Sequence, residues 1–160
     1  MKVGILSDTH DYIVNINKAL EVFKENNISF FIHAGDFVAP FSLNPYFEKG
    51  FDFIGVFGNN DGEKNGLDKK SKGKIKEPPF AINLYGKDIL IVHDITTINY
   101  LSFSKTPSVI VYGHTHIAEV KKEKDILFIN PGEACGWVTG KATVAIFDVE
   151  ILKAEIIEIK

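Results

Sequence analysis

The chain alternates between short apolar runs and polar segments, and this pattern predicts strands and helices in succession. Three apolar runs of strand length come first, at residues 2–7, 29–34 and 51–57. Between the first two runs, apolar residues recur at helical spacing, namely Ile13, Ile16, Leu20 and Phe23. A shorter helix is predicted from Pro40 to Glu48. This order of strands and helices predicts an α/β fold.

The second half of the chain is predicted to be dense in strands. Residues 61–76 precede it and are polar and rich in glycine and lysine, so we expect a surface loop with at most about one turn of helix. Seven further strands are predicted, at residues 80–84, 88–92, 109–112, 119–121, 126–130, 142–149 and 154–159. Residues 95–103 predict one more helix. No linker-like segment divides the chain, so residues 1–160 are expected to form one domain with two sheets.

The composition of the chain limits the kinds of binding partner that we expect. The net charge is −3, and no apolar stretch approaches the roughly 20 residues that span a bilayer, so no membrane partner is expected. Nucleic acid is not an expected partner either, because the lysine-rich stretch lacks interleaved aromatic residues. The N-terminus leads directly into the polar motifs, and we expect a cytoplasmic protein. The single cysteine, Cys135, excludes an intramolecular disulfide and gives no cysteine-based zinc site.

All 18 basic residues are lysines, because the sequence contains no arginine. The bidentate guanidinium clamp that often holds phosphate is therefore absent. An anion bound by this chain must be held by metal, lysine, histidine or backbone N–H groups.

The candidate chemistry lies where predicted strands end. Asp8 and His10 are two residues apart, so in an extended segment both side chains point to the same side, and His114 and His116 repeat this spacing. Each motif alone is weak, since Gly-Asp is an ordinary turn and asparagine commonly caps a helix. Together the motifs supply two carboxylates, one amide and four imidazoles, a set that predicts a two-metal site. The seven candidate ligands are Asp8, His10, Asp36, Asn59, His93, His114 and His116.

The fifth histidine, His33, lies inside an apolar strand and is interpreted as a buried, hydrogen-bonded core residue. Cys135 and Trp137 follow a glycine-containing turn at residues 130–132. They either line the rim of the site or serve packing alone.

The ordered motifs Asp-x-His, Gly-Asp, Gly-Asn-x-Asp, His and Gly-His-x-His resemble those of the calcineurin-like metallophosphoesterase superfamily, in particular its small single-domain archaeal and bacterial phosphodiesterases. The resemblance implies a four-layer αββα sandwich with two mixed β-sheets. It also implies two divalent transition-metal ions, such as Mn, Ni, Fe, Co or Zn. One ion would be held by Asp8, His10, Asp36 and His116, and the other by Asp36, Asn59, His93 and His114.

The same resemblance implies a reaction. A hydroxide bridging the two metals would attack phosphorus in a small phosphate ester, more often a diester than a monoester. Many family members carry a histidine that assists the leaving group where this chain has Asn60, the candidate catalytic position. An amide cannot give up a proton as an imidazolium can, so we expect a preference for good leaving groups.

Two further departures affect the surroundings of the site. Asp94 stands where glycine is frequent in the family and is expected to orient the imidazole of His93. Glu133 stands where serine often follows the Asn-Pro-Gly motif at residues 130–132.

An alternative function is a non-catalytic metal-binding or protein-interaction scaffold of the same fold, similar to a eukaryotic retromer subunit. A scaffold can lose ligands freely, whereas none is missing here, which favours the enzyme. The chain has no cap domain, so a neighbouring subunit of a homo-oligomer could complete the substrate pocket.

Overall fold

The structure is a computed structural model that describes residues 1–99 and 105–160. Its helices are α1 (Ile13–Glu25), α2 (Asn44–Glu48) and α3 (Lys64–Ser71), with 3-10 turns at Pro40–Leu43 and Ile95–Thr97. Its strands are β1 (Lys2–Leu6), β2 (Phe30–His33), β3 (Asp52–Val56), β4 (Ile75–Lys76), β5 (Phe80–Leu84), β6 (Lys87–Ile91), β7 (Val109–Val111), β8 (Glu119–Glu123), β9 (Ile126–Asn130), β10 (Thr143–Asp148) and β11 (Lys153–Glu158).

Both sheets are mixed. The first has the strand order β11-β10-β1-β2-β3-β4, in which β1 to β4 run parallel and β10 and β11 pair antiparallel. The second has the order β5-β6-β7-β9-β8, with β6, β7 and β9 parallel in its centre. Parallel strands end at the same edge of a sheet, so the loops after β1, β2 and β3 lie side by side. The loops after β6 and β7 do the same in the second sheet.

The two sheets pack face to face through a core of β-branched and aliphatic side chains, for example Ile5, Ile32, Ile91, Val111 and Ile129. Helix α1 covers the outer face of the first sheet with the residues that recur at helical spacing, namely Ile16, Ala19, Leu20 and Phe23. On the outer face of the second sheet, Ile95 and Ile98 pack against a smaller apolar cluster. The predicted α/β fold with two mixed sheets is therefore confirmed. In the described part of the chain, no helix is long and apolar enough to cross a membrane.

The prediction for residues 61–76 is wrong. This segment contains the eight-residue helix α3 and the short strand β4 rather than a loop with one helical turn. The helix forms because Leu67 and Ser71, one turn apart, are buried against the protein, which outweighs the weak helix propensity of the segment. The helix predicted at residues 95–103 begins as a 3-10 turn at Ile95–Thr97, and residues 100–103 lie outside the described part.

His33 is a core residue, as the sequence predicts. Its side chain is fully buried, its ring stacks on Phe37 at 3.6 Å, and its Nε2 lies 3.2 Å from the hydroxyl of Thr9. The backbone N–H of Gly35 donates to its Nδ1 at 3.2 Å. Burial holds the pKa of His33 well below its ordinary value, so the imidazole is neutral in the folded protein.

This burial predicts a pH dependence of stability. Below pH 6.5 the unfolded chain protonates His33 and the folded protein does not, so the free energy of unfolding falls with pH by up to about 1.4 kcal/mol per unit. His33→Gln lacks this contribution and leaves the other four histidines of the chain in place. Urea denaturation in chelator should therefore show the stability advantage of the wild type shrinking from pH 7.5 to pH 5.5. If the difference in free energy of unfolding between the wild type and His33→Gln stayed constant or grew as the pH fell, this would contradict a neutral, buried His33.

Candidate metal centre

The carboxyl-end edges of the two sheets meet, and the loops that follow five strands converge there. Asp8 and His10 follow β1, Asp36 follows β2, and Asn59 follows β3. From the second sheet, His93 follows β6, and His114 and His116 follow β7. The structure therefore brings all seven residues selected from the sequence to one place, where they form two neighbouring groups.

The first group surrounds the buried carboxylate of Asp8. Its Oδ1 lies 3.9 Å from Nε2 of His10 and 3.4 Å from Nε2 of His116. Nε2 of His10 also lies 3.5 Å from Oδ2 of Asp36. Four possible ligand atoms thus face one another across a few ångströms.

The second group lies on the other side of Asp36. The same Oδ2 atom of Asp36 is 3.4 Å from Nε2 of His93. The side-chain oxygen of Asn59 lies 2.9 Å from His93 Nε2 and 2.9 Å from Nδ1 of His114. One oxygen of Asp36 therefore faces both groups.

Unpartnered atoms mark the space between these side chains. In the described part of the chain, Oδ1 of Asp8 and Nε2 of His10 are buried and have no hydrogen-bond partner. The other oxygen of Asp8 accepts hydrogen bonds from Oγ of Ser7 at 2.5 Å and from N–H of His114 at 3.1 Å, so Oδ1 alone is left over. A buried carboxylate oxygen without a donor is costly unless a cation partners it, so the residues present fit a metal ion.

The electrostatics of the site also favour a cation. Burial raises the pKa of Asp8, although the Ser7 hydrogen bond opposes this. Burial would raise the pKa of Asp36 too. The hydrogen bond and charge of His93, together with hydrogen bonds from Asn60, instead hold the pKa of Asp36 well below its ordinary value. Burial would lower the pKa of His93, yet its hydrogen bond to Asp36 and the charges of Asp36 and Asp8 raise it. Two buried carboxylates thus create a negative potential, which divalent cations would neutralise.

The backbone of the site is held in an uncommon conformation. Five of the candidate ligands have positive φ: Asp8 (53°), His10 (43°), Asp36 (62°), His114 (68°) and His116 (62°). Positive φ is uncommon in residues other than glycine, and clusters of it typically lie at functional sites. Such a conformation persists only where surrounding contacts hold it.

Asp61 provides several of these contacts. Its buried carboxylate accepts hydrogen bonds from the backbone N–H groups of Asp36 at 3.1 Å, Val38 at 2.7 Å and Gly58 at 2.7 Å. It therefore ties the loop after β2 to the loop after β3. This role of Asp61 was not predicted from the sequence, although an acid that ends a Gly-Asn-Asn-Asp motif is a signal that could have suggested it.

Asn60 lies at the exposed edge of the site. Its backbone N–H donates to Oδ1 of Asp36 at 2.8 Å, and its side-chain amide donates to Oδ2 at 2.7 Å. The residue at the candidate catalytic position thus contacts Asp36, the carboxylate between the two groups.

The expectation that Asp94 orients His93 is wrong. Nδ1 of His93 lies 2.8 Å from the backbone carbonyl of Ala34, which orients the ring. Asp94 instead accepts hydrogen bonds from Thr96, and its carboxylate lies 3.7 Å from Nε2 of His114.

Three residues of the loop at residues 133–139 also lie at the site. The sequence indicated Cys135 and Trp137 as candidates for the rim, whereas the contact of Glu133 was not predicted. Glu133 is fully buried and lies 2.7 Å from Nδ1 of His116. Burial would raise the pKa of Glu133, but hydrogen bonds from Thr139, His116 and Val138 lower it to about 2. Cys135 places its sulfur near ring nitrogens of His10 and His116. Burial raises the pKa of Cys135 to about 12, so it is a neutral thiol. Trp137 is exposed at the rim, 6.1 Å from the ring of His10.

The chain is similar to known proteins over nearly its whole length. The sequence profile of the calcineurin-like phosphoesterase superfamily domain matches residues 1–151. The phosphodiesterase MJ0936 of Methanocaldococcus jannaschii is 37% identical over 156 residues, which cover 94% of each chain. The solved structure of an archaeal phosphodiesterase superposes with a TM-score of 0.88 at 35% identity and covers 99% of both chains. Vps29 of Entamoeba histolytica, solved with Zn²⁺, has a TM-score of 0.65 at 14% identity over the whole of both chains, a likeness of fold alone.

The fold and these relatives define a phosphoric ester hydrolase of a class that uses divalent metal ions. The chain belongs to the calcineurin-like phosphoesterase superfamily, as its motifs suggest.

Close backbone approach at Gly113 yields a testable prediction. A Cβ at this position would lie 1.9 Å from Oγ of Ser7 and 2.7 Å from Oδ2 of Asp8. Gly113→Ala should therefore displace Asp8, lower the free energy of unfolding by about 1–3 kcal/mol and weaken metal binding. Urea denaturation in chelator and calorimetric titration with Mn²⁺ measure the two effects.

The matched control is Gly62→Ala, because a Cβ there meets nothing within 4 Å. This variant should stay within about 0.5 kcal/mol of the wild type and keep its metal affinity. If Gly113→Ala and Gly62→Ala had the same free energy of unfolding and the same metal affinity, this would contradict a tight contact between Gly113 and Asp8.

Proposed function

We propose that this protein is a phosphodiesterase that works with two divalent metal ions. The observation that carries the proposal is the position of Asp36, whose Oδ2 faces His10 on one side and His93 on the other. Asp8, His10, Asp36 and His116 would hold one ion, and Asp36, Asn59, His93 and His114 the other. When bound, such a pair would supply Lewis acidity and an activated water as the nucleophile.

The charges of the chain suit an anionic substrate. Two divalent cations would carry four positive charges against two negative charges on Asp8 and Asp36. A loaded site would therefore attract phosphate without arginine. A cavity of about 250 Å³ adjoins Asn59, His93 and His114, and Phe57 and Lys64 also line it. We infer that a small phosphate ester binds there, with its phosphoryl group at the metal side.

The leaving group receives little help from the chain. The side-chain amide of Asn60 donates a hydrogen bond to Asp36 and cannot release its proton at physiological pH. We therefore infer that Asn60 stabilises charge near Asp36 and does not act as a general acid. Esters with acidic leaving groups, such as aryl diesters, are the expected substrates.

The remaining properties are proposals of the same kind. The ligand set has oxygen and nitrogen atoms only, which suits Mn, Ni, Fe, Co or Zn. We propose that the chain forms a single domain, because one core joins the two sheets. We also propose that the protein is cytoplasmic. A homo-oligomer would add a wall to the open substrate site.

A protein-interaction scaffold is the second candidate. The fold shared with Vps29 is compatible with it. The complete ligand set and the unpartnered, buried atoms of Asp8 and His10 favour the enzyme, because a scaffold does not require them.

Hydrolysis of bis-p-nitrophenyl phosphate separates the two candidates. Protein freed of metal with chelator should be inactive and should regain activity with at least one of Mn²⁺, Ni²⁺, Co²⁺, Fe²⁺ or Zn²⁺. Asp36→Asn should lower kcat/KM more than about 100-fold, beyond the loss typical of groups outside the ligand shell. The control Asp125→Asn makes the same change at a fully exposed carboxylate and should leave the rate unchanged.

No turnover with any metal would favour the scaffold. Turnover that survives Asp36→Asn would contradict the shared carboxylate.

Aryl and alkyl diesters test the role of Asn60. With chemistry rate-limiting, the wild-type rate should fall steeply as the pKa of the leaving group rises. Asn60→His should raise the rate for poor leaving groups by up to about 100-fold and have little effect on good ones, because an imidazolium can donate a proton. The control Asn65→His places the same residue on the exposed face of α3 and should change neither rate. Equal wild-type rates across leaving groups would refute the inference about Asn60.

A further inference from the structure

We propose that Glu133 is a positioning residue that fixes the tautomer and orientation of His116 for one of the two metal ions. The inference rests on the ligand assignment proposed above for Asp8, His10, Asp36 and His116. It adds a residue outside that set, on a different loop.

The contact between the two side chains determines the tautomer. Oε2 of Glu133 lies 2.7 Å from Nδ1 of His116. An ionised carboxylate can only accept hydrogen bonds, so in the form of the imidazole that binds metal, which carries one proton, that proton lies on Nδ1. Nε2 of His116, 3.4 Å from Oδ1 of Asp8, therefore presents its lone pair to the centre of the first group.

The carboxylate cannot turn away from His116, because both of its oxygens are fully used. Oε1 accepts hydrogen bonds from N–H of Val138 at 2.9 Å and from N–H and Oγ1 of Thr139 at 2.5 and 2.7 Å. Oε2 also accepts from N–H of Trp137 and the thiol of Cys135, each at 3.1 Å. Glu133 is completely buried, so water does not compete for these donors.

The second group has no equivalent arrangement at His93. Its Nδ1 lies 2.8 Å from the neutral carbonyl oxygen of Ala34. A carboxylate partner raises the basicity of an imidazole ligand and adds a negative charge next to the ion. The other imidazole of this group, that of His114, has only the partly exposed carboxylate of Asp94 nearby, at 3.7 Å, which is beyond hydrogen-bond distance. We therefore expect the ion at His116 to bind more tightly than the ion at His93.

The same carboxylate links this ligand to the rim of the site. It holds the backbone of Trp137, whose ring lies 6.1 Å from the ring of His10 and 5.6 Å from that of Tyr12. Trp137 is the only tryptophan of the chain, so its fluorescence reports on metal binding close to His116.

Glu133→Gln is the decisive variant. Glutamine has one acceptor oxygen and one amide donor, so either the loop N–H groups or Nδ1 of His116 must face a donor. If the amide faces His116, Nδ1 loses its proton and Nε2 gains one, which blocks coordination. Affinity for one of two ions should fall about 10–100-fold, and affinity for the other should remain.

Two measurements test the role of Glu133 without an assay of hydrolysis. Long-range proton–nitrogen NMR spectra of metal-free, ¹⁵N-histidine-labelled protein at pH 8, assigned with His116→Gln, should show the Nδ1–H tautomer in the wild type. In Glu133→Gln the population should shift to Nε2–H. Titration with Co²⁺, followed by Trp137 fluorescence and calorimetry, should show the loss at the tighter site only.

Thr139→Val is the matched control. It removes one donor to Oε1 of Glu133 and leaves the contact to His116, so tautomer and affinity should match the wild type. Equal losses in Thr139→Val and Glu133→Gln would overturn the proposal in favour of a purely structural loop.

The outcomes separate this inference from the proposed function. If the wild type shows Nδ1–H but binds no metal, Glu133 orients His116 and the metal assignment fails. If two ions bind and Glu133→Gln changes neither tautomer nor affinity, the role of Glu133 is refuted. Should Glu133→Gln fail to fold, a wild-type spectrum with Nε2–H would still overturn the proposal.

Discussion

The structure depends on one shared carboxylate. Oδ2 of Asp36 lies 3.5 Å from Nε2 of His10 and 3.4 Å from Nε2 of His93, so one oxygen faces two groups of candidate ligands, and each group contains residues from both sheets. Two like charges buried near one another are unfavourable unless cations lie between them, and Asp8 adds the second charge. The convergence of five loops at this edge is best understood as the framework for that arrangement.

The loops that carry the candidate ligands are conformationally strained, and buried polar groups stabilise them. Candidate ligands with positive φ are strained, and glycine at position 113 is required because a side chain there would meet Ser7 and Asp8. Two buried acids offset the strain. Asp61 ties the turn at Asp36 to the loop after β3, and Glu133 ties His116 to its own loop. Each carboxylate accepts several backbone N–H groups, which satisfies donors that the irregular loops would otherwise leave unpaired.

Much of the fold and the site could be predicted because their signals are local. Apolar periodicity indicated the strands and α1, and motifs at strand ends indicated seven residues that the structure brings together. Helix α3 was missed because its stability comes from the burial of Leu67 and Ser71, a tertiary effect that a lysine-rich sequence does not reveal. The roles of Asp61 and Glu133 were missed because a carboxylate that binds backbone N–H groups has no fixed spacing to its partners. Asp94 was assigned to His93 from adjacency, whereas the backbone carbonyl of Ala34 orients that ring.

The most direct test of the shared carboxylate is a crystal structure of the protein with Mn²⁺, with anomalous data collected near the manganese edge. We expect two anomalous peaks about 3.5–4 Å apart, with Asp36 between them. His116 should bind one ion and His114 the other. A single peak, or two peaks that do not share Asp36, would contradict the two-metal site.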